Sequence, residues 1–213
     1  MNFSKLAEHI VAGDAKAAEQ WTNQALSSGA NPVDLINNGL MPGMAVVGEK
    51  FKNCEYYLPE VLVSARAMKK SMELVRPLLT DRQAPDMGRV AIGTVKGDLH
   101  DIGKNVVAMM LEGAGFRVHN LGADVPPDSF IQAVQAYDCS LVCLSALLTT
   151  TMPMMRITIE ALEGAEVRHR VKVMVGGAPV TQDYATGIGA DGYARDGASA
   201  VDKAKELVGI PAK

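Results

Sequence analysis

The second half of the sequence alternates short apolar runs with longer amphipathic stretches, and this alternation constrains the fold most strongly. Strands of this kind are buried on both faces, as in a parallel sheet covered by helices. The predicted strands are Arg89–Val95, Phe116–Leu121, Ser140–Ser145, Val171–Val175 and Gly192–Ala194. The predicted helices are Lys104–Glu112, Asp128–Tyr137, Met154–Glu163, Thr181–Ile188 and Ala198–Val208. This order predicts an α/β, flavodoxin-like, doubly wound sheet of five parallel strands.

The first half of the sequence is helical in pattern. Apolar residues recur at helical spacing after capping signals such as Asp14 and the pair Asn31-Pro32. A loop is expected over 51–57, before a long helix that begins at Pro59. We predict four or five helices, which is enough for a small bundle.

The stretch Thr80–Gly88 is polar, contains proline and glycine, and has no periodicity. Such stretches are typical of linkers between domains. We therefore expect a helical domain over residues 1–84 and a sheet domain over residues 89–213, joined by a linker over residues 80–88.

Composition excludes several classes of protein. The 213 residues are 48% hydrophobic and 21% charged, with a formal net charge of −3, so no basic excess points to nucleic acid. No apolar run approaches the length of a membrane span, and the N-terminus lacks the apolar core of a signal peptide. The three cysteines form no paired framework. We expect a cytoplasmic protein without a membrane or nucleic-acid partner.

One histidine stands at a distinctive place, between the first predicted strand and the helix that follows it. The loop reads Gly97-Asp98-Leu99-His100-Asp101-Ile102-Gly103. A metal-binding imidazole needs an acceptor for its other N–H, and Asp98 is close enough to provide one. Glycines allow unusual backbone conformations and close approach of a bulky group. Taken alone, this short pattern is equally compatible with a solvated histidine on a surface loop.

Two further motifs follow this loop in order. Ser145-x-Leu147 comes after 41 intervening residues, and Gly176-Gly177 comes after 28 more. This series resembles the cobalamin-binding domain of methionine synthase and of the corrinoid proteins in the methanol, methylamine and O-demethylase methyltransferase systems. The resemblance extends to the first half, through Met41–Phe51 and Tyr57–Leu62, which are similar to the helical cap domain of the same proteins.

The resemblance implies a cofactor, cobalamin in the form of methylcobalamin or a related corrinoid, bound base-off and His-on. His100 would be the axial ligand to cobalt, and Asp98 and Thr151 would complete a hydrogen-bonded relay with it. The other residues that the resemblance assigns to the cofactor are Gly97, Leu99, Asp101, Ile102, Gly103, Ser145, Leu147, Thr149, Gly176, Gly177 and Gly197. From the cap, Phe51 and Leu58 would shield the upper face of the corrin, and the linker would serve as a hinge.

The implied function is that of a methyl carrier, which holds the methyl group as methyl-cobalt(III) between two partner enzymes. One partner would be a substrate-specific methyltransferase, and the other an acceptor methyltransferase that uses tetrahydrofolate or a thiol. An ATP-dependent reductive activator would be a third. The chain has no barrel for a methyl donor, so it would not be catalytic alone, and general likeness favours O-demethylation.

Three other functions remain open at this point. The sheet motif is shared by cobalamin-binding subunits of adenosylcobalamin mutases, although these need an open face for radical chemistry. A cobalamin-sensing regulator would need a DNA-reading helix-turn-helix, which is not apparent. A nucleotide- or flavin-binding fold would be expected to carry Gly-x-Gly-x-x-Gly after the first strand, and the sequence lacks it.

Overall fold

The computed structural model describes residues 2–79 and 87–210, and the chain divides into two compact units. The first unit holds the helices that precede residue 80, and the second holds the sheet that begins at Arg89. Most of the expected linker, Thr80–Gly88, lies outside the described residues, so its role as a hinge stays a prediction. Among the described residues, no helix is both long enough and apolar enough to cross a bilayer.

The first unit is built from helices α1 to α5, and two of the predicted caps are present. The Asp14 side chain accepts from the Ala17 amide, and the Asn31 side chain accepts from the Val33 amide. Such caps satisfy N–H groups that a helix leaves unpaired at its start. The helices are α1 Ser4–Val11, α2 Ala15–Ser27, α3 Pro32–Leu35, α4 Met41–Lys52 and α5 Leu58–Val75.

The helix predicted to start at Pro32 is present, but two of its local features were not predicted. A π-helical turn, Ile36–Leu40, joins α3 to α4 directly, so the segment from Pro32 is helical throughout. Pro42 follows this turn and has no N–H to donate, and widened turns accommodate such losses. The predicted loop at 51–57 was wrong at its start, because α4 includes Phe51 and ends at Lys52; Cys54, two residues later, takes a φ of +59°.

The second unit is a five-stranded parallel sheet in the order β2-β1-β3-β4-β5, which confirms the predicted doubly wound fold. Its core is continuous and consists mainly of branched aliphatic side chains, with Phe130 fully buried. The strands are β1 Arg89–Val95, β2 Arg117–Val125, β3 Leu141–Ser145, β4 Lys172–Gly176 and β5 Gly192–Ala194. The helices are α6 Ile102–Gly113, α7 Pro127–Tyr137, α8 Pro153–Gly164, α9 Gln182–Gly187 and α10 Gly197–Leu207.

Strand β2 departs most from its predicted bounds. It continues four residues beyond the predicted end at Leu121, because Gly122, with a φ of +90°, carries the chain through an irregularity instead of ending the strand. Pairing then resumes, with Val95 opposite Val125. The longer strand brings polar residues of β2 to the carboxyl end of β1, which is the edge where ligands bind in open α/β sheets.

Candidate functional site

The loop that carries His100 lies between the carboxyl end of β1 and the first turn of α6. Gly97 has a φ of +84°, a left-handed conformation that glycine adopts without strain. The Asp98 amide donates to the Val95 carbonyl, 3.1 Å away, which closes a turn at the end of the strand. The hydroxyl of Thr94, which is fully buried, donates to the His100 carbonyl at 3.0 Å. The backbone on both sides of the histidine is therefore fixed.

Asp98 is the centre of the site and has no solvent exposure. Its Oδ1 accepts from the backbone amide of His100 at 3.0 Å and from His100 Nδ1 at 2.8 Å. Its Oδ2 accepts from the Thr151 hydroxyl at 2.7 Å and from the Leu147 amide at 2.8 Å. The Leu148 amide donates to the same oxygen at 3.3 Å. Five donors thus converge on one buried carboxylate.

These donors decide the protonation state of Asp98. Burial acts to raise its pKa, whereas the donors from Thr151, Leu147 and His100 act in the opposite direction. The donors prevail, and the pKa lies well below its usual value. Asp98 is therefore a carboxylate at neutral pH, and a carboxylate can only accept hydrogen bonds.

The ionised state of Asp98 determines the tautomer of His100. The Nδ1 atom must donate to Asp98, so in the neutral ring the lone pair is on Nε2. The side chain is 52% exposed, which leaves the ring accessible from solvent. An imidazole whose Nδ1–H is held by a carboxylate is the arrangement that orients a histidine for metal coordination through Nε2. The hydrogen bonding and exposure of His100 therefore fit a histidine that coordinates a metal as an axial ligand.

The surface beside His100 is apolar, although it faces water. Leu99, in the loop, is 75% exposed, and Ile102, the first residue of α6, is 69% exposed. Leu147 and Leu148 are also exposed, and their amides contact Asp98. Exposed apolar patches of this kind typically mark ligand or partner sites. This rim suits the edge of a large, partly apolar macrocycle.

The glycines of the motifs were expected to allow unusual backbone conformations and close approach of a bulky group, and the structure gives some of them a different reason. Gly103 lacks a positive φ and a Cβ there would meet open space, so an unusual conformation was the wrong reason for it. Gly177 has a φ of +133°, and a Cβ on it would collide with the Ala146 carbonyl. A Cβ on Gly176 would lie 2.7 Å from the Ala194 carbonyl oxygen. Both glycines are thus required by the ends of neighbouring strands, whether or not they also leave room for a cofactor.

The remaining predicted positions of the second unit are spread around the carboxyl edge of the sheet. Ser145 ends β3, and Thr149 is exposed in the loop that follows. Asp101 accepts from the Asn105 side chain at the start of α6. Gly197 is buried at the start of α10, where a Cβ would lie 2.5 Å from Met110 Sδ. Their contacts with a cofactor remain predictions.

The two predicted cap residues belong to the first unit. Phe51 is in the last turn of α4 and Leu58 begins α5, and both side chains are partly buried. In sequence they flank the short stretch that separates the two helices, residues 53–57. Their role above the corrin stays a prediction.

Sequence reasoning missed a polar cluster beside the loop. Lys104 is only 3% exposed, and its ammonium donates to Asn105 and Asn120 at 2.6 Å each. Burial lowers the pKa of this lysine, and the charge of Asp101 partly opposes the shift. A lysine in an amphipathic helix gives no signal of such burial, because its usual place is the surface. The cluster joins the start of α6 to β2.

Comparison with known proteins identifies the family. Residues 88–202 match the B12 binding domain, and residues 3–76 match a second family that is also described as a B12 binding domain. The chain belongs to the B12-binding corrinoid proteins. The predicted resemblance to cobalamin-binding proteins is thereby confirmed, and a corrinoid is the cofactor of this chain.

Named relatives of this corrinoid protein match most of its length. The trimethylamine corrinoid protein of Methanosarcina barkeri is 46% identical over 98% of this chain and 97% of its own length. Dimethylamine corrinoid protein 1 of Methanosarcina acetivorans is 45% identical over 84% of both chains. A structure of the methanol:cobalamin methyltransferase complex from Methanosarcina barkeri matches with a TM-score of 0.86 and 30% identity. That match covers 96% of this chain and 78% of the other.

These names bear on the expected methyl donor. The two sequence relatives are named for methylated amines, and the matched complex is named for methanol. The expectation of O-demethylation finds no support in them.

Proposed function

We propose that this corrinoid protein is a methyl carrier whose axial ligand is His100. The observation that carries the proposal is the hydrogen-bonded series from Thr151 through Asp98 to His100, with distances of 2.7 and 2.8 Å. When bound, the corrinoid would supply the cobalt that accepts and donates the methyl group. The protein supplies binding, orientation and exclusion of water.

The series can hold a proton next to the ligand. Asp98 keeps the Nδ1 proton of His100 in place, which makes Nε2 a better donor to a metal. The Thr151 hydroxyl lies 2.7 Å from the carboxylate and 2.9 Å from the Leu148 carbonyl, so its proton has two acceptors within reach. The buried Asp98 carboxylate would therefore hold the Nδ1 proton of His100 in place while Nε2 faces the cofactor.

The remaining residues would shape the cofactor site. We propose that Ser145, Leu147, Gly176 and Gly177 line a slot for the nucleotide tail, with Thr149 near the corrin ring. Gly197 would close this slot. The exposed apolar rim at the His100 loop, described above, supports contact with the lower face of the ring.

We further propose the division of labour along the chain. Residues 1–84 would form a cap in which Phe51 and Leu58 cover the upper face of the corrin, and residues 80–88 would act as the hinge. Opening of such a cap would admit one partner at a time. The match of residues 3–76 to a B12 binding domain supports a cofactor role for this part of the chain.

The methyl donor is a methylated amine in this proposal. Support comes from the names of the relatives that are 46% and 45% identical, which specify trimethylamine and dimethylamine. The partners would be a substrate-specific methyltransferase, an acceptor methyltransferase that uses tetrahydrofolate or a thiol, and an ATP-dependent reductive activator, all in the cytoplasm.

The axial ligand is tested by electron paramagnetic resonance of the full chain loaded with cob(II)alamin. A coordinated ¹⁴N splits each line into three, whereas ¹⁵N splits it into two, so the protein is prepared with and without ¹⁵N-histidine. We expect doublets in the labelled wild type and in the control variant His169→Gly, whose histidine belongs to a surface turn. His100→Gly should show no label-dependent splitting. Identical triplets in labelled and unlabelled wild type would exclude a histidine ligand.

The donor class is tested by methyl transfer from purified candidate methyltransferases to the reduced, loaded protein. Each reaction is offered trimethylamine, dimethylamine, methylamine, methanol or an aryl methyl ether. We expect methylation only with an amine-specific partner. Methylation with an aryl ether and its partner, but with no amine, would contradict the proposed donor and leave the carrier role intact.

A further inference from the structure

Asp124 stands apart from the motifs, yet it contacts the His100 loop in two places. It is the penultimate residue of β2, with a φ of +56°. Its Oδ1 accepts from the Gly97 amide at 2.7 Å, and its own amide donates to the Asp98 carbonyl at 3.0 Å. A side chain and a backbone amide of one residue thus hold two successive residues of the loop. We refer to these two hydrogen bonds as the Asp124 clamp.

The clamp occupies a place where regular strand pairing fails. The register between β1 and β2 shifts twice, between Ile92 and Gly93 and again between Gly93 and Val95. The amide of Asp124 bonds to the loop beyond the end of β1, after the last paired residue of that strand. A left-handed conformation is uncommon for residues other than glycine, and aspartate is among those that tolerate it best.

The clamp acts on a part of the loop that the other contacts leave free. Leu147 and Thr151 hold the Asp98 carboxylate, and Thr94 holds the His100 carbonyl. None of these bonds engages the Gly97 amide or the Asp98 carbonyl. Gly97 is the residue with the greatest backbone freedom in this turn, and Asp124 holds the amide that enters it and the carbonyl of the residue that follows it.

We infer that Asp124 is a positioning residue for the axial histidine. By holding the Gly97 amide and the Asp98 carbonyl, it restricts the backbone on both sides of this pair and so sets the direction in which the Asp98 side chain leaves the backbone. That side chain in turn orients the imidazole of His100. This inference rests on the proposed function, in which His100 coordinates cobalt.

Asp124→Gly is the decisive variant, because glycine keeps the left-handed backbone and removes only the side-chain acceptor. Asp124→Asn restores a carbonyl oxygen at the same place. Asp138→Gly is the matched control, since Asp138 is also an aspartate at positive φ, with its carboxylate paired to Arg170. All are made in the full chain, and far-UV circular dichroism checks their folding.

The first readout is the ratio of His-on to His-off protein, taken from the nitrogen splitting in the cob(II)alamin-loaded chain. Loss of a hydrogen bond to a charged acceptor corresponds to about a tenfold change in such a ratio. We expect Asp124→Gly to shift the ratio by about tenfold toward His-off. Asp124→Asn should restore most of it, and Asp138→Gly should match the wild type.

The second readout needs no cofactor. Hydrogen exchange of the Gly97 amide in the apo chain should be about tenfold faster in Asp124→Gly, because that amide loses its acceptor. If Asp124→Gly does not fold, Asp124→Ser replaces it, because its shorter side chain lengthens the same bond.

Unchanged ligation and unchanged exchange in Asp124→Gly would overturn the inference, as would an Asp124→Asn variant that behaves like Asp124→Gly. A wild type without a histidine nitrogen signal would instead contradict the proposed function. In that case faster exchange at Gly97 would still establish the clamp as a structural contact, but not as a device that positions the ligand.

Discussion

Replacement of Asp98 by asparagine tests the site most directly, because the two side chains have nearly the same shape. The carboxylate receives five donors, two on Oδ1 and three on Oδ2. Asparagine offers one acceptor oxygen and one NH₂ group. Its oxygen is expected to face Leu147, Leu148 and Thr151, because all three are donors. The NH₂ group then faces the backbone amide of His100, which loses its acceptor.

The expected loss of stability follows from these contacts. A hydrogen bond to a charged group contributes about 1.5–3 kcal/mol. The backbone amide of His100, which loses its acceptor, should therefore lower the free energy of unfolding by about that amount. The three remaining donors exchange a charged acceptor for a neutral one, and charge-assisted bonds are roughly twice as strong as neutral ones. Together these changes predict that the free energy of unfolding falls by about 3–5 kcal/mol.

The substitution also reverses the tautomer of His100. With an NH₂ group opposite, Nδ1 must accept, so the neutral ring carries its proton on Nε2 and has no lone pair there for a metal. We therefore expect the histidine nitrogen signal in the cob(II)alamin-loaded protein to be lost, although the ring itself is unchanged. His-on coordination at wild-type level in Asp98→Asn would refute this reasoning.

Stability is measured on the apo chain by urea unfolding at pH 7. Far-UV circular dichroism follows both units, and fluorescence of Trp21, the sole tryptophan, follows the helical unit. The control is Asp138→Asn, whose exposed carboxylate makes one ion pair with Arg170. A change of less than about 0.5 kcal/mol is expected for the control. A similarly small change in Asp98→Asn would show that the five bonds do not stabilise the fold.

Three further predictions concern Asp98, Thr94 and Gly177. Below about pH 4, Asp98 becomes protonated in the unfolded chain but stays ionised in the folded chain, because folding lowers its pKa. The difference in free energy of unfolding between wild type and Asp98→Asn should therefore be smaller at pH 3 than at pH 7. Thr94→Val removes the buried donor to the His100 carbonyl and should lower the free energy of unfolding by about 1–3 kcal/mol, measured in urea; no loss would mean that this bond contributes nothing. Gly177→Ala should destabilise by about 2–4 kcal/mol in the same assay, whereas Gly187→Ala, where a Cβ meets open space, should change stability little.

The fold could be predicted from the sequence because its strands are buried on both faces. Apolar runs such as Arg89–Val95 need no tertiary information to be recognised, and that strand has the predicted bounds. The end of β2 could not be predicted, because Gly122 reads as a strand terminator and only pairing with β1 shows that the strand continues. The π-helical turn before Met41 was equally hidden, since it depends on backbone geometry.

The site was predictable only where its residues are close in sequence or belong to a spaced motif. Asp98 and His100 are two positions apart, so their contact could be expected. Asp124 reaches the loop from the neighbouring strand β2, and Thr94 reaches it from the end of β1; neither residue type at its position signals that contact. A contact such as that of Asp124, made from a neighbouring strand, emerges only when the register of the sheet is known.

The apolar rim of the His100 loop has a consequence for the chain before it is loaded. Leu99 and Ile102 present most of their side chains to water, and Leu147 and Leu148 extend this exposed apolar surface. A corrinoid seated against them would shield these leucine and isoleucine groups, whereas an empty chain offers them to other molecules. Binding of the corrinoid should therefore affect solubility. The apoprotein should self-associate at concentrations where the holoprotein remains monodisperse.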